Sequence, residues 1–383
     1  MDQQTQPTNS PYEESNAKSK QFRCPNCGGQ QIFDPNLNAL RCDSCGQSQK
    51  IDEAGGFDSV VEYDLLEGMQ KLPERGLGRP TRTLSCQGCG AIISFGVEET
   101  AGVCSFCASA QVLELDSHRQ TLRPESLVPF SKTKDVAQNH FASWLSGLWF
   151  RPNDLKKRAS VSKIQGVYIP YWVFDATVDS EWSALAGHYY YTTETYTETV
   201  NGQSQTRTRQ VRHTRWVPAS GQRRDIYDDY LICASKGLPK ALADRLDTYS
   251  TKSLLPYDPS YLSGFKAEEY QIDLKPAWTQ AVHSMESIQT DRCSGDVPGD
   301  TQANLRVHNE FSDTRFKHVL LPVWIAAYQY KDKTFQFLVN GQTGEVEGHA
   351  PYSVWKITFA VIIALILMSI FVLVAVSQQQ GHY

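Results

Sequence analysis

The sequence predicts an α+β protein in three parts: two small N-terminal four-cysteine zinc ribbons, a Trp- and Tyr-rich α+β domain with an antiparallel sheet, and one C-terminal transmembrane helix. Three observations predict it. Eight of the ten cysteines fall in four Cys-x-x-Cys pairs, residues 125–352 mix helical and strand periodicities, and residues 357–376 carry no charge. At 383 residues the chain is too long for one ordinary domain. Hydrophobic residues make up 40% and charged residues 21%, a globular composition, and a net charge of −5 gives no field that would hold a polyanion.

The N-terminal cysteines come first in the argument. Residues 1–20 are rich in Gln, Ser, Asn and Glu and lack an apolar core segment, so a disordered lead without a signal peptide is expected. Thiols in a chain that stays in the cytosol remain reduced, and paired ones there act as metal ligands. Cys24-x-x-Cys27 is followed by Cys42-x-x-Cys45, and Cys86-x-x-Cys89 by Cys104-x-x-Cys107, with fourteen residues between the inner cysteines each time. Zinc takes four thiolates at the corners of a tetrahedron, and a hairpin of that length brings the second pair round to the first. Glycine follows the second cysteine of three pairs (Gly28, Gly46, Gly90), where it permits the tight knuckle; the fourth has Ala108. The expectation is two structural Zn²⁺ ions in closed shells, with zinc ribbon 1 at 21–50, a linker at 51–82 and zinc ribbon 2 at 83–116. Cys233 and Cys293 are read as core thiols.

Zinc ribbons can bind nucleic acid, which calls for clustered cations. Residues 21–120 hold eight Lys or Arg against thirteen acidic residues, a balance of −5, and closed thiolate shells make the segment more negative. Nucleic acid is therefore disfavoured as a partner.

In the domain at 125–352, Val136, Phe141, Trp144, Leu145 and Leu148 recur at helical spacing and predict a helix over 134–149. Strands are predicted at 166–177, 188–200 and 205–217, the last two flanking the hairpin dipeptide Asn201-Gly202. A second helix is expected over 267–290, presenting Tyr270, Leu274, Trp278, Ala281 and Met285, and a β section over 305–346 with a turn at Asn340-Gly341. Ile169-Pro170-Tyr171-Trp172 resembles Leu321-Pro322-Val323-Trp324, and Val200-Asn201-Gly202-Gln203 recurs as Val339-Asn340-Gly341-Gln342. Two similar hairpin units and chance are both open readings of these matches.

Residues 357–376 interrupt an apolar run only with Thr358 and Ser369, and as a helix they match the thickness of a bilayer core. Lys331, Lys333 and Lys356 precede the span, and the tail 377–383 has no Lys or Arg. The positive-inside rule places the N-terminus and the bulk of the chain in the cytoplasm, with Tyr352 and Trp355 at the interface.

No catalytic constellation stands out. There is no phosphate-binding Gly-x-x-x-x-Gly-Lys-Ser/Thr loop, no Gly-x-Ser-x-Gly elbow and no His-Glu-x-x-His pair. Asp52-Glu53-Ala54-Gly55 is similar to a helicase acidic motif but reads as a solvated linker. Asp225, Asp228 and Asp229 form an acidic group with Tyr227 and Tyr230 that has two readings, a cation site or, more commonly, a helix start, and His188 and His213 are placed facing each other across a hairpin as ordinary strand residues. An enzyme centred on Asp228 or His188 is the weakest reading.

The runs from Phe141 to Leu155, Gly166 to Ala176, Phe316 to Trp324 and Val339 to Glu345 resemble a bacterial family of uncharacterised membrane-anchored double zinc-ribbon proteins. Its members are often labelled TFIIB-type zinc ribbon proteins, or "primosomal protein N′ (replication factor Y), superfamily II helicase". The ribbon label fits these cysteines; the helicase label lacks its ATPase motifs here. The resemblance implies a non-enzymatic adaptor or scaffold on the cytoplasmic face of the inner membrane, beside flotillin-like or phage-shock-type proteins. The alternative is a membrane-tethered nucleic-acid-binding protein.

Overall fold

A computed structural model describes residues 22–51, 60–70, 77, 81–96, 104–107, 109, 112–115, 121–152, 164–200, 203–246, 248–330 and 333–380. The N-terminal third holds β1 (Gln31–Asp34), β2 (Ala39–Cys42), β3 (Ser48–Lys50), β4 (Tyr63–Asp64), α1 (Leu65–Gln70), β5 (Thr81–Cys86), β6 (Ile92–Gly96) and β7 (Val112–Leu115). There follow β8 (Ser126–Leu127), α2 (Lys134–Gly147), β9 (Gln165–Val200), β10 (Gln203–Cys233), α3 (Lys240–Ala243), β11 (Leu255–Pro256) and β12 (Lys266–Glu268). The C-terminal third is α4 (Leu274–Asp296), β13 (Thr301–Tyr330), β14 (Lys333–Asn340), β15 (Val346–Gly348) and α5 (Val354–Gln380).

Two long central strands organise the molecule. β9 and β13 run antiparallel with Ile169 opposite Leu321, and alternation gives their sheet two apolar faces. Tyr168, Trp172 and Phe174 lie under the helices, while Val167, Ile169, Tyr171 and Val173 pack on the other side with Leu84, Cys86 and Cys104. The sheet is mixed and twelve-stranded, which corrects the antiparallel expectation. Its parallel contacts are Lys266 beside Val167 and Ser126 beside Val319.

Those parallel contacts expose a duplication. Each half of the domain is a short strand, a helix and a long hairpin: β8, α2, β9 and β10, then β12, α4, β13 and β14. In both halves the helix N-cap comes seven positions after the start of the short strand, Ser126 to Thr133 and Lys266 to Asp273. Pro170 and Pro322 occupy equivalent places. β12 partners β9 as far as Tyr168 and β10 partners it from Tyr171, so Pro170 sits in the gap. Likewise β8 ends at Leu320 and β14 begins at Val323, leaving Pro322 between them. A residue without an N–H is tolerated inside a sheet where no ladder bond is asked of it. The first sequence match is thus a real equivalence. The second is not: Asn340 closes β14 and Gly341 follows it, and the Asn340 side chain accepts from the Gln342 and Thr343 N–H groups at 2.9 and 3.0 Å. Asn201-Gly202 lies outside the described residues, although Val200 and Gln203 pair across it as a hairpin requires.

Other expectations need correcting. The strands drawn at 166–177, 188–200 and 205–217 are parts of the continuous β9 and β10. α2 stops at Gly147, where Leu148 leaves helical geometry. The second helix begins at Leu274, because 266–268 is committed to the sheet and Pro276 fits only the first turn of a helix. Its buried stripe is Leu274, Ala277, Ala281, Met285, Gln289 and Cys293. Asp225, Asp228 and Asp229 belong to β10 and start no helix. His188 pairs with Arg215, and His213 stacks on Tyr190 at 5.2 Å, so the two histidines do not face each other. Beyond Gly187, where β13 begins, β9 and β10 continue alone as a two-stranded arm.

Candidate metal centres

Each cysteine pair of a cluster sits at a knuckle held by its backbone. The Gly28, Gly46 and Gly90 N–H groups donate to the carbonyls of Cys24, Cys42 and Cys86 at 2.8, 2.9 and 2.9 Å. All three glycines have left-handed backbone, with φ of 74°, 74° and 79°, the conformation for which glycine was expected there. Ala108 lies outside the described residues. These turns gather Cys24, Cys27, Cys42 and Cys45 in one group and Cys86, Cys89, Cys104 and Cys107 in another, with the sulfurs of each group within 4.8 Å of one another.

The spacing suits a metal. Cys24 and Cys45 sulfurs are 3.6 Å apart, and Cys27 and Cys42 are 3.5 Å apart. In the second cluster Cys86 and Cys107 are 3.5 Å apart, and Cys89 and Cys104 are 3.7 Å apart. A tetrahedron of sulfurs around Zn²⁺ has edges of about 3.8 Å. All eight thiols are free, none in a disulfide. The thiols of each cluster are split: Cys45 and Cys104 are drawn toward thiolate, while the neighbouring sulfurs push Cys27 up to about 12 and burial pushes Cys107 up to about 11. The Gln47 N–H draws the Cys45 thiol down to about 6, and the Cys89 thiol draws Cys104 down to about 5 while its own proton is held more tightly. Two groups of four cysteines able to hold a metal ion are therefore present, and four protein ligands leave no open position for chemistry at the ion.

The clusters differ in how they join the body. The first has its own three-stranded sheet, docked where the Phe33 N–H donates to the Ser263 carbonyl at 3.0 Å and Phe33 meets Tyr261 edge-on at 5.2 Å. The strands of the second belong to the central sheet, since β6 pairs with β12 through Ser94 and Ala267. The first cysteine of every pair is buried (Cys24, Cys42, Cys86, Cys104), while the second is exposed in the first cluster (Cys27, Cys45) and half-buried in the second (Cys89, Cys107), where Cys86 and Cys104 join the central core.

Sequence reasoning missed a buried charge cluster. Part of the expected linker folds as β4 and α1, and β4 pairs with β13 at Arg315 and Phe316. This brings Glu62 to Lys317 at 2.9 Å, and Lys317 also pairs with Asp229 at 2.5 Å. Asp175 accepts from the Asp229 N–H at 2.7 Å, and burial pushes its carboxyl up to about 6. Glu62, Asp175 and Asp229 lie close enough to share a cation, and the Lys317 ammonium supplies the positive charge. Backbone bulges in β10 and β13, with Asp229 and Asp313 at φ of 57° and 51°, turn the strands around this cluster. Asp228 and Asp229 line a cavity of about 550 Å³ with Tyr171, Tyr249 and Lys240, but His188 lies far out on the arm, so the two are not brought together.

α5 is long and apolar enough to cross a membrane, and its Val354–Leu373 stretch is not buried in the protein. The whole defines a class of molecule: a mixed-sheet α+β protein with two four-cysteine groups and one exposed apolar C-terminal helix. The chain is similar to YdjG of Bacillus subtilis, described as an uncharacterized protein, at 28% identity over 344 residues, 88% of this chain and 91% of that one. No family model and no solved structure matches the chain.

Proposed function

We propose that the protein is a non-enzymatic zinc-ribbon adaptor of the bacterial cytoplasmic membrane. α5 is its single-pass anchor, and the ribbons and duplicated domain face the cytoplasm as protein-binding surfaces. The observation that carries the reading is the pairing of two closed four-cysteine groups with an uncovered apolar helix on one chain. A closed shell organises a fold without doing chemistry, and an uncovered apolar helix calls for lipid. The partners implied by the family resemblance, flotillin-like or phage-shock-type proteins, belong to this reading. Affinity purification of the full chain in detergent tests it, with co-purifying membrane-associated proteins expected.

The competing reading is a tethered nucleic-acid binder. The acidic balance of residues 21–120 speaks against it. Gel shifts of the full chain in micelles over a salt series decide: tight binding that weakens steeply with salt would replace the adaptor reading.

A further inference from the structure

We infer that the loop after α2, residues 148–152, is a second membrane contact, with Trp149 and Phe150 in the interfacial layer of the leaflet that α5 enters and Arg151 and Lys356 at its headgroups. The inference rests on the anchor reading of α5 and deepens it.

The loop is built onto the base of the helix. α2 ends at Gly147, whose carbonyl accepts from the Trp149 N–H at 3.1 Å, turning the chain out of the helix. The Ser353 N–H then donates to the Phe150 carbonyl at 2.8 Å, and Lys356 Nζ donates to the Trp149 carbonyl at 3.0 Å. The Arg151 guanidinium lies 3.6 Å over the Tyr352 ring and donates to the Ala350 carbonyl. Two segments 207 residues apart in sequence therefore form one collar.

That collar is apolar where it is uncovered. Trp149 is 65% exposed and Phe150 41%, with rings 5.2 Å apart, while Tyr352 and Trp355 are 66% and 79% exposed. Ile357, Phe359 and Val361, in the first turns of α5, are exposed as well. The loop is hydrogen-bonded to the base of that helix, so a bilayer around α5 meets the loop at its edge. Trp, Tyr and Phe with adjoining cations match the interfacial zone, where rings settle at headgroup depth and long cationic side chains reach anionic lipid. A single helix leaves its cargo free to swivel; a second contact fixes the tilt of the body against the bilayer.

The test uses the full chain in vesicles of phosphatidylethanolamine and phosphatidylglycerol, with photoreactive benzoylphenylalanine replacing Trp149, Phe150, Phe371 or Trp216 in separate variants. Phe371 reports the anchor, and Trp216, exposed on the β9–β10 arm, reports background. Lipid adducts at 149 and 150 in yields similar to 371, and absent at 216, are expected. Adducts at 371 with protein adducts or none at 149 and 150 overturn the inference and leave the anchor standing. Adducts as frequent at 216 as at 149 overturn it too. No lipid adduct at 371 removes the anchor and the inference together.

Discussion

Trp172 and Trp324 do the same job in the two halves of the domain. The Trp172 indole N–H donates to the Ile272 carbonyl at 2.8 Å, and that of Trp324 donates to the Lys132 carbonyl at 2.9 Å. Ile272 and Lys132 each precede a helix N-cap, Asp273 and Thr133. One ring on each central strand thereby fixes where the helix above it begins.

Trp172→Phe and Trp324→Phe should therefore cost similar amounts. Each keeps most of the ring and leaves a half-buried carbonyl without its donor, a loss of about 1 kcal/mol. Denaturant unfolding of the purified full chain in micelles measures both. A large cost for one and none for the other would contradict the equivalence.

The two metal sites should respond unequally. On the zinc reading, Cys45→Ser should lose one of two ions and leave the body folded, since its cluster sits on a separate small sheet. Cys104→Ser should bring down the whole domain, because the buried thiol belongs to the central core. Metal analysis and circular dichroism of each variant check this; a folded, one-zinc Cys104→Ser protein would show that the second ribbon is dispensable.

How far the sequence revealed these features depended on distance along the chain. The cysteine knuckles, the apolar helix and the β9–β10 hairpin are local patterns, and all were legible. The Ile169–Trp172 and Leu321–Trp324 match pointed to the duplication, but the short strands that complete each unit hold two or three paired residues and carry no periodicity. The start of the second helix was hidden because Tyr270 continues its apolar spacing backward into a loop, where the ring packs on Trp172 instead. The Lys317 cluster joins strands from opposite ends of the chain and leaves no local trace.

Lys317→Met should destabilise strongly, by about 3–5 kcal/mol, because it strands the Glu62 and Asp229 carboxylates around a buried position. Adding Asp229→Asn should recover part of that loss. Thermal unfolding of the single and double variants gives the coupling, and strict additivity would mean the pair does not interact.

His318 should make the protein acid-sensitive. Burial holds its imidazole down to about 4, against an ordinary value of 6.5, with Nδ1 donating to the Leu122 carbonyl at 3.1 Å. Between those values the unfolded chain binds more protons, so stability falls as the pH drops from about 6.5 toward 4, by about 3 kcal/mol in all. His318→Gln should flatten that slope in unfolding measured between pH 7 and 5; an unchanged slope would assign the acid sensitivity elsewhere.

Removing residues 357–383 should move the protein from the membrane fraction to the soluble fraction on cell fractionation. Retention at the membrane would place the anchor in another segment.

The free arm of β9 and β10 has a bearing on what can meet this protein. α5 leaves from the end of the sheet where β9 starts, since Trp144 packs on Gly348, Gly348 pairs with Phe337, and Phe337 pairs with Ala326 beside the first residue of β9. The hairpin ends at the opposite pole, at Val200. At roughly 3.3 Å per residue, a fully extended β9 would carry that tip about 115 Å from its own beginning, and strand twist shortens this. On the anchor reading of α5, that tip stands well clear of the lipid, at the far end of the molecule from the helix.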